Sequence, residues 1–211
     1  MIEIKNYTKK IKKRIVLDHI NCKFENKMIY GLYGVNGSGK TMLLRAIAGL
    51  IKPTEGDVLI DGKMLHRDIS FPDSVGLIIE NMEMLPYLSA ADNLKLLADI
   101  KKIAKDDDII NAIERVGLPV NNDKVKTFSL GMRQKLNIAQ AIFEKPQILL
   151  LDEPTNALDE KSVHMIHNVI KEEKERGAAI LIATHNKYDI NDLCDEVFQM
   201  VDGRLEESSW N

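Results

Sequence analysis

Residues 34–41 read GVNGSGKT, a complete G-x-x-x-x-G-K-[ST] pattern. The run before it, Met28 to Tyr33 (MIYGLY), is apolar and short enough for a buried strand. The run after it, Met42 to Leu50 (MLLRAIAGL), has helical spacing and stops at Lys52-Pro53. A strand that turns through glycines into a helix restricts the fold sharply. Glycine lets the backbone curl until its N–H groups converge, and the helix N-terminus adds its positive end at that point. The pattern predicts a cradle for phosphate built by Gly34, Val35, Asn36, Gly37, Ser38 and Gly39. Lys40 is expected to reach the β- and γ-phosphates, and Thr41 to offer its hydroxyl to Mg²⁺. A glycine-rich turn with an accidental lysine would lack the flanking strand and helix. The expected ligand is a nucleoside triphosphate.

A second station is Ile148 to Glu153 (ILLLDE). Four apolar residues predict a central strand, and Asp152 at its end can reach the metal directly or through water. Glu153, the next carboxylate, is placed to polarise an attacking water as general base. Two other patterns point elsewhere. Asn186-Lys187-Tyr188-Asp189 fits the N-K-x-D guanine-reading motif of GTP switches, and Asp73-Ser74-Val75-Gly76 fits their D-x-x-G element. However, Asp73 precedes its apolar run, whereas ligands gather beyond the carboxyl ends of parallel strands. A GTP switch would also leave Asp152-Glu153 without a role.

Along the chain, Ile2 to Lys5 alternates like an edge strand and Ile15 to Phe24 continues the β character. Val58 to Gly62 and Glu196 to Leu205 read as hairpins, and Ala179 to Thr184 as a buried strand. The stretch 86–128 holds two helical patterns, Ala90 to Ile103 and Asp106 to Val116, and no strand. Ser129 to Phe143 and Lys161 to Arg176 are also helical in pattern. Strands alternating with helices imply an α/β core with parallel strands. The apolar run Val75 to Ile79 stops abruptly at Glu80-Asn81, and a carboxylate at the exit of a buried strand needs a partner.

The chain has 211 residues, 45% of them hydrophobic and 29% charged, with a net charge of −3. With pI near 6.0, no global basic field draws it to nucleic acid or anionic lipid. No apolar run approaches the roughly 20 residues of a bilayer span. The start, MIEIKNYTKK, reads as a strand and a basic turn, not a signal peptide. Cys22 and Cys194, far apart and outside any CxxC pattern, read as reduced buried thiols.

Together these stations resemble the nucleotide-binding subunit of ATP-binding-cassette (ABC) transporters, over essentially the whole chain. The most specific piece is Phe128 to Lys135 (FSLGMRQK), similar to the family's signature loop, with Met132 where glutamine is commonest. Asp152 to Asp159 (DEPTNALD) matches the family's Mg²⁺ strand and D-loop. His185, after AAILIAT, falls where the family carries a histidine that senses the γ-phosphate. The resemblance implies ATP and Mg²⁺ as cofactors and a P-loop NTPase (RecA-like) parallel-sheet core. It further implies an N-terminal antiparallel β subdomain and an inserted α-helical subdomain. Residues 1–211 are then one ATPase domain, with a core at about 1–85 and 129–211 and a helical subdomain at about 86–128. It also implies a head-to-tail homo- or heterodimer, in which Ser129 and Gly131 of one subunit form a second anion cradle for the ATP of the other. Asp159 is counted among the nucleotide-contacting residues.

Some positions depart from that pattern. The family's base-stacking aromatic falls, by spacing, on Ile11, which offers apolar contact but no π-face. Tyr7 lies four residues early and reads as a core or surface tyrosine before a substitute. Glu80 stands where the family has glutamine; ionised, it can only accept, so its expected partner is the metal or the attacking water. His164 and His167 are one helical turn apart but lack a further ligand set. Asp106-Asp107-Asp108 suits a helix N-terminus. Met82, Met84 and Met132 suit an adaptable partner surface or ordinary packing.

The resulting expectation is an ATPase subunit, peripheral on the cytoplasmic face of a bacterial membrane. It would couple ATP hydrolysis to substrate movement by a separate membrane permease, which meets the helical insertion and the loop around 80–87. Similarity of IIENMEMLPYLSAADNL and SLGMRQKLNIAQA to lantibiotic-immunity and bacitracin-resistance exporters implies export of an antimicrobial peptide or amphiphile. The rival is a soluble ABC ATPase clamping DNA or ribosomes, expected to show tandem cassettes, a coiled-coil insertion or a basic surface. A regulator that binds nucleotide without hydrolysis would have no use for Glu153.

Overall fold

The computed structural model describes residues 1–79 and 82–207. The strands are β1 (Ile2–Ile11), β2 (Arg14–Phe24), β3 (Ile29–Tyr33), β4 (Glu55–Ile60), β5 (Lys63–Met64), β6 (Val75–Ile78), β7 (Ile148–Asp152), β8 (Ala179–Thr184), β9 (Glu196–Val201) and β10 (Arg204–Glu207). The helices are α1 (Lys40–Ile47), α2 (Ala90–Lys101), α3 (Asp106–Arg115), α4 (Leu130–Ile142), α5 (Glu160–Arg176) and α6 (Lys187–Leu193), with a 3₁₀ turn at Val125–Thr127.

Among the described residues the strands form two sheets. One has the order β2-β1-β4-β5 and is antiparallel; the other is β10-β9-β3-β8-β7-β6, parallel except for β10. The strand at Ile2 is therefore not an edge: β1 is flanked by β2 and β4, and its alternation reflects one buried face. The second hairpin also does more than expected, because β9 joins the parallel sheet beside β3. Helix α6 is absent from the sequence reading, and α1 starts at Lys40, two residues earlier than its apolar pattern.

The central strands are apolar throughout because both faces are covered. In β7, Leu149 and Leu151 face one hydrophobic cluster while Ile148 and Leu150 face another. In β8, Ile180 and Ile182 face the first, and Ala179, Leu181 and Ala183 the second. This is the period-two alternation of a strand. The first cluster continues through Leu94 of α2, Ile113 of α3 and Leu136 of α4; the second joins α1 to Ile2, Leu17 and Val58 of the antiparallel sheet. The helical stretch thus shares its core with one face of the parallel sheet, and the β layer with the other.

Local chemistry sets the helix boundaries. Ser89 caps α2, accepting from the Asp92 N–H, while Asp92 takes back the Ser89 N–H, a reciprocal capping box. The triple aspartate opens α3 as its composition suggests: Asp108 accepts the Lys105 N–H and pairs with Lys145 at 2.6 Å. Gly177, at φ 116°, ends α5 in the left-handed region. Tyr7 is buried, with its hydroxyl donating to the Ile51 carbonyl, so it is a core residue. Both cysteines are free, and burial pushes each thiol up to about 12. No described helix is long and apolar enough to cross a membrane.

Candidate functional site

The order β3-β8-β7 brings three carboxyl ends side by side, with Tyr33 opposite Thr184 and Asp152 opposite Ala183. Gly34 to Thr41 follow β3, His185 follows β8, and Asp152-Glu153 close β7. The phosphate loop, both acids and the histidine therefore converge as a consequence of strand order.

The loop itself turns through Gly37 and Gly39, both at positive φ, and Gly39 is the left-handed cap of α1. A Cβ on Gly39 would stand 3.0 Å from the Val16 carbonyl, so strand β2 presses against the loop there. The β9–β10 turn braces it too, as the Gly203 N–H donates to the Ser38 carbonyl and the Asp18 N–H to the Gly203 carbonyl. A cavity of about 360 Å³ opens over this loop, walled by Lys40, Thr41, Asp152 and Glu153 on one side and by Arg14, Ile15, Val16 and Asp202 on the other.

Lys40 is buried and folded over the cradle, donating to the carbonyls of Gly34 at 2.6 Å and Val35 at 3.3 Å. Burial lowers its pKa, against the pull of Glu153 and Asp152. The Ser38 hydroxyl is buried with no hydrogen-bond partner, which a bound phosphate oxygen would supply. The Thr41 hydroxyl donates to Asp152 Oδ2 at 2.6 Å. Hydroxyl and carboxylate oxygens this close suit a small hard cation, which takes oxygen ligands.

Glu153 has a left-handed backbone (φ 48°), and its N–H donates to the Ala183 carbonyl at 2.8 Å. Such a conformation costs a non-glycine residue roughly 1–2 kcal/mol and persists where its surroundings impose it. Its side chain meets His185 Nδ1 at 2.7 Å through Oε1 and the Thr184 hydroxyl at 3.3 Å through Oε2. The His185 side chain is 62% exposed and also lines a second opening with Gly34, Val35 and Asn36. It is thus poised between the acid and the loop.

The remaining expected residues lie apart from this cavity. Ser129 caps α4 by accepting the Met132 N–H, Gly131 is in the first turn, and Leu130 between them is 71% exposed. A Cβ on Gly131 would stand 3.1 Å from the carbonyl of Ala157, itself at φ 64°. Asp159 caps α5, accepting the Ser162 N–H at 2.7 Å, and the Ser162 side chain together with that N–H holds its carboxyl below the usual range. None of the three lines the cavity over its own phosphate loop, among the described residues. Ile11 is exposed at the β1–β2 turn and does not line the cavity either; Ile15 and Arg14 do. Glu80 lies outside the described residues.

The two GTP-like patterns have other uses. Asp189 is fully buried and accepts from Thr155 and Thr184, so no base can reach it. Asp73 is exposed, before β6. His167 is engaged by Asp189 and Asp192, and His164 by Tyr188. The sequence reading missed Thr184, Arg14, Ile15 and Gln134, whose Nε2 donates to the carbonyls of Glu153 at 3.2 Å and Pro154 at 2.9 Å. A hydroxyl at the end of the strand beside ILLLDE was the available signal for Thr184. Gln134 had none, because its partners are backbone atoms nearly twenty residues away.

The sequence pattern of the ABC transporter family matches residues 17–156. The ABC transporter ATP-binding protein YybJ of Bacillus subtilis (strain 168) is 63% identical, covering 99% of this chain and 96% of that protein. The bacitracin transport ATP-binding protein BcrA of Bacillus licheniformis is 37% identical over 97% of this chain and 68% of its own length. The lantibiotic transport ATP-binding protein SrtF of Streptococcus pyogenes is 33% identical over 97% and 89%. The dimeric structure of MJ0796, a bacterial ABC transporter cassette, superposes with a TM-score of 0.88 at 27% identity, over 98% of this chain and 97% of that one. A dimeric post-hydrolysis state of the same cassette, bound to ADP and Pi, gives 0.85 at 26% over the same shares. With its phosphate loop, acid pair and histidine on one sheet edge, this chain belongs to the ABC transporter family as an ATP-binding, ATP-hydrolysing subunit.

Proposed function

We propose that this subunit drives export of an antimicrobial peptide or similar amphiphile through a separate membrane permease, using ATP bound between two head-to-tail cassettes. The observation that carries the catalytic part is the joint geometry of Thr41–Asp152 and Glu153–His185 above one phosphate loop. BcrA and SrtF, named for bacitracin and lantibiotic transport, support the substrate class.

In this reading Gly34 to Gly39 hold the phosphates through backbone N–H groups, and Ser38 gains a partner for its hydroxyl. Lys40 leaves the Gly34 and Val35 carbonyls for the β- and γ-phosphates. Thr41 and Asp152 hold Mg²⁺, which when bound neutralises charge developing on the phosphate oxygens. Glu153 accepts a proton from the attacking water. His185 turns from Glu153 to the γ-phosphate and registers its loss. Ser129 and Gly131 approach the ATP of the other subunit with a hydroxyl and bare N–H groups at the N-terminus of α4. Asp159 reaches the interface while capping α5. Glu80, from the sequence alone, is assigned to the metal or the water. The base rests against Ile15 and Arg14, with Ile11 further out.

Residues 1–211 act as one ATPase unit, and the helical stretch 86–128 is the arm that meets the permease. A cavity of about 210 Å³, where Met82, Met84, Val125 and Leu136 meet Glu83, Lys126, Arg133 and Asn137, offers an adaptable socket with apolar and charged walls for a cytoplasmic helix of that partner. The subunit thereby sits on the cytoplasmic face of the membrane. Purification from the native membrane tests this: a polytopic protein should accompany the subunit, and reproducible recovery of ribosomes or DNA instead would favour a clamp.

A further inference from the structure

His167 on α5 is 1% exposed and lies off the phosphate cavity, yet its two ring nitrogens both face carboxylates. Nε2 is 2.9 Å from Asp189 Oδ1, and Nδ1 is 2.6 Å from Asp192 Oδ2. A ring donating from both nitrogens satisfies both acids; a neutral ring sets a lone pair against one of them. Lys171 Nζ also lies 3.1 Å from Asp192 Oδ2, and the Tyr188 ring stacks on His167 at 5.4 Å while its hydroxyl meets His164.

The other side of Asp189 faces the catalytic edge. Its Oδ2 accepts from the Thr155 hydroxyl at 2.7 Å and lies 3.2 Å from the Thr184 hydroxyl. That same hydroxyl is 3.3 Å from Glu153 Oε2, and it accepts the Asn186 N–H at 3.0 Å. Threonine has one hydroxyl hydrogen, so Thr184 faces two carboxylates with one proton to give. With His167 on Oδ1 and Thr155 on Oδ2, each oxygen of Asp189 already has a donor, and Thr184 is free to turn to Glu153. Without His167, Asp189 is a buried carboxylate short of a donor, and it competes for that hydrogen.

We propose that His167 is a positioning residue for ATP hydrolysis, acting through Asp189 and Thr184 to hold the Glu153 carboxylate. The proposal rests on Glu153 as general base. Its oxygens have different duties: Oε1 is held by His185 in this structure and becomes free for water when His185 turns to the γ-phosphate. The Thr184 bond to Oε2 then keeps the carboxylate oriented.

The test is steady-state ATPase kinetics and equilibrium ATP binding on the full chain carrying His167→Gln, Thr184→Val, or both. Each single change should lower kcat about tenfold, short of the ~10²-fold cost of an ångström's misplacement. KM and ATP affinity should stay within about twofold, as expected when a transition-state interaction alone is lost. The double variant should be no slower than Thr184→Val, because His167 works through that hydroxyl. Unchanged turnover in Thr184→Val, which leaves Asp189 its His167 and Thr155 partners, overturns the proposal even where His167→Gln folds poorly. Losses that multiply in the double variant, or ATP affinity that falls along with melting temperature, also overturn it. Glu153→Gln separates the two ideas: normal turnover there removes the base and this proposal together. An inactive Glu153→Gln beside a normal His167→Gln removes only the relay.

Discussion

The phosphate loop and the start of α4 are both helix N-termini with glycine and serine at the tip, but they differ in completeness. The phosphate loop is braced by Val16 and Gly203, roofed by Lys40 and faced by Asp152 and Glu153 of the same chain. The start of α4 has Ser129 and Gly131 at its tip and an exposed Leu130 between them, away from the cavity of its own chain. One is a site that a single chain can fill with nucleotide. In the proposed reading the other is half a site, completed when the nucleotide comes from a second subunit. The difference separates binding from turnover: the first half should hold ATP alone, and only the pair should hydrolyse it.

That separation can be broken by mutation, and the largest effect is expected at Glu153. Glu153→Gln should lower ATP turnover by about 10²–10⁴-fold, the usual worth of a general base, while equilibrium ATP binding stays near normal. Lys40→Ala comes next: nucleotide affinity should fall about 10- to 100-fold, the loss of a charge-assisted contact, as read by titration calorimetry. Gly131→Asp strikes the other half. An added Cβ there stands 3.1 Å from the Ala157 carbonyl, so some stability is lost although an acid in the first turn of α4 suits the helix dipole. The phosphate loop is untouched, and ATP binding to the single chain should persist. ATPase activity should nevertheless fall at least about tenfold, one like-charge contact being enough for that. Ser129→Ala removes the cap and should cost about 1 kcal/mol of stability by denaturant unfolding. Smallest is the acid response of Asp92, whose hydrogen bonds from Ser89 hold its carboxyl below the usual range. A lowered folded pKa contributes stability above about pH 4 that is lost as pH falls through the folded value. Asp92→Asn should therefore shallow the acid fall in melting temperature.

Local features carried most of the fold in the sequence. GVNGSGKT and ILLLDE are contiguous, each states its own chemistry, and the strand order sets them on one edge. What the sequence hid was pairwise and distant. The inner position of β1 depends on β4, more than forty residues away, and the entry of β9 into the parallel sheet depends on β3. Helix α6 was masked because its residues, KYDINDL, mimic a base-reading motif and show little apolar period; Asp189 is buried there by hydroxyl and imidazole partners instead. Ile11 is the position reached by spacing back from the phosphate loop, but Arg14, Ile15 and Val16, across the β1–β2 turn, are the residues that line the cavity. Ser129, Gly131 and Asp159 were legible as a pattern, and a single chain gives them only capping and packing roles.

The central claim is that ATP completes its site only between two subunits. The mass of Glu153→Gln by light scattering, with and without saturating Mg-ATP, tests it most directly. The account predicts a doubling with ATP that Gly131→Asp in the same background abolishes. A chain that binds ATP fully and keeps the single-chain mass would contradict it.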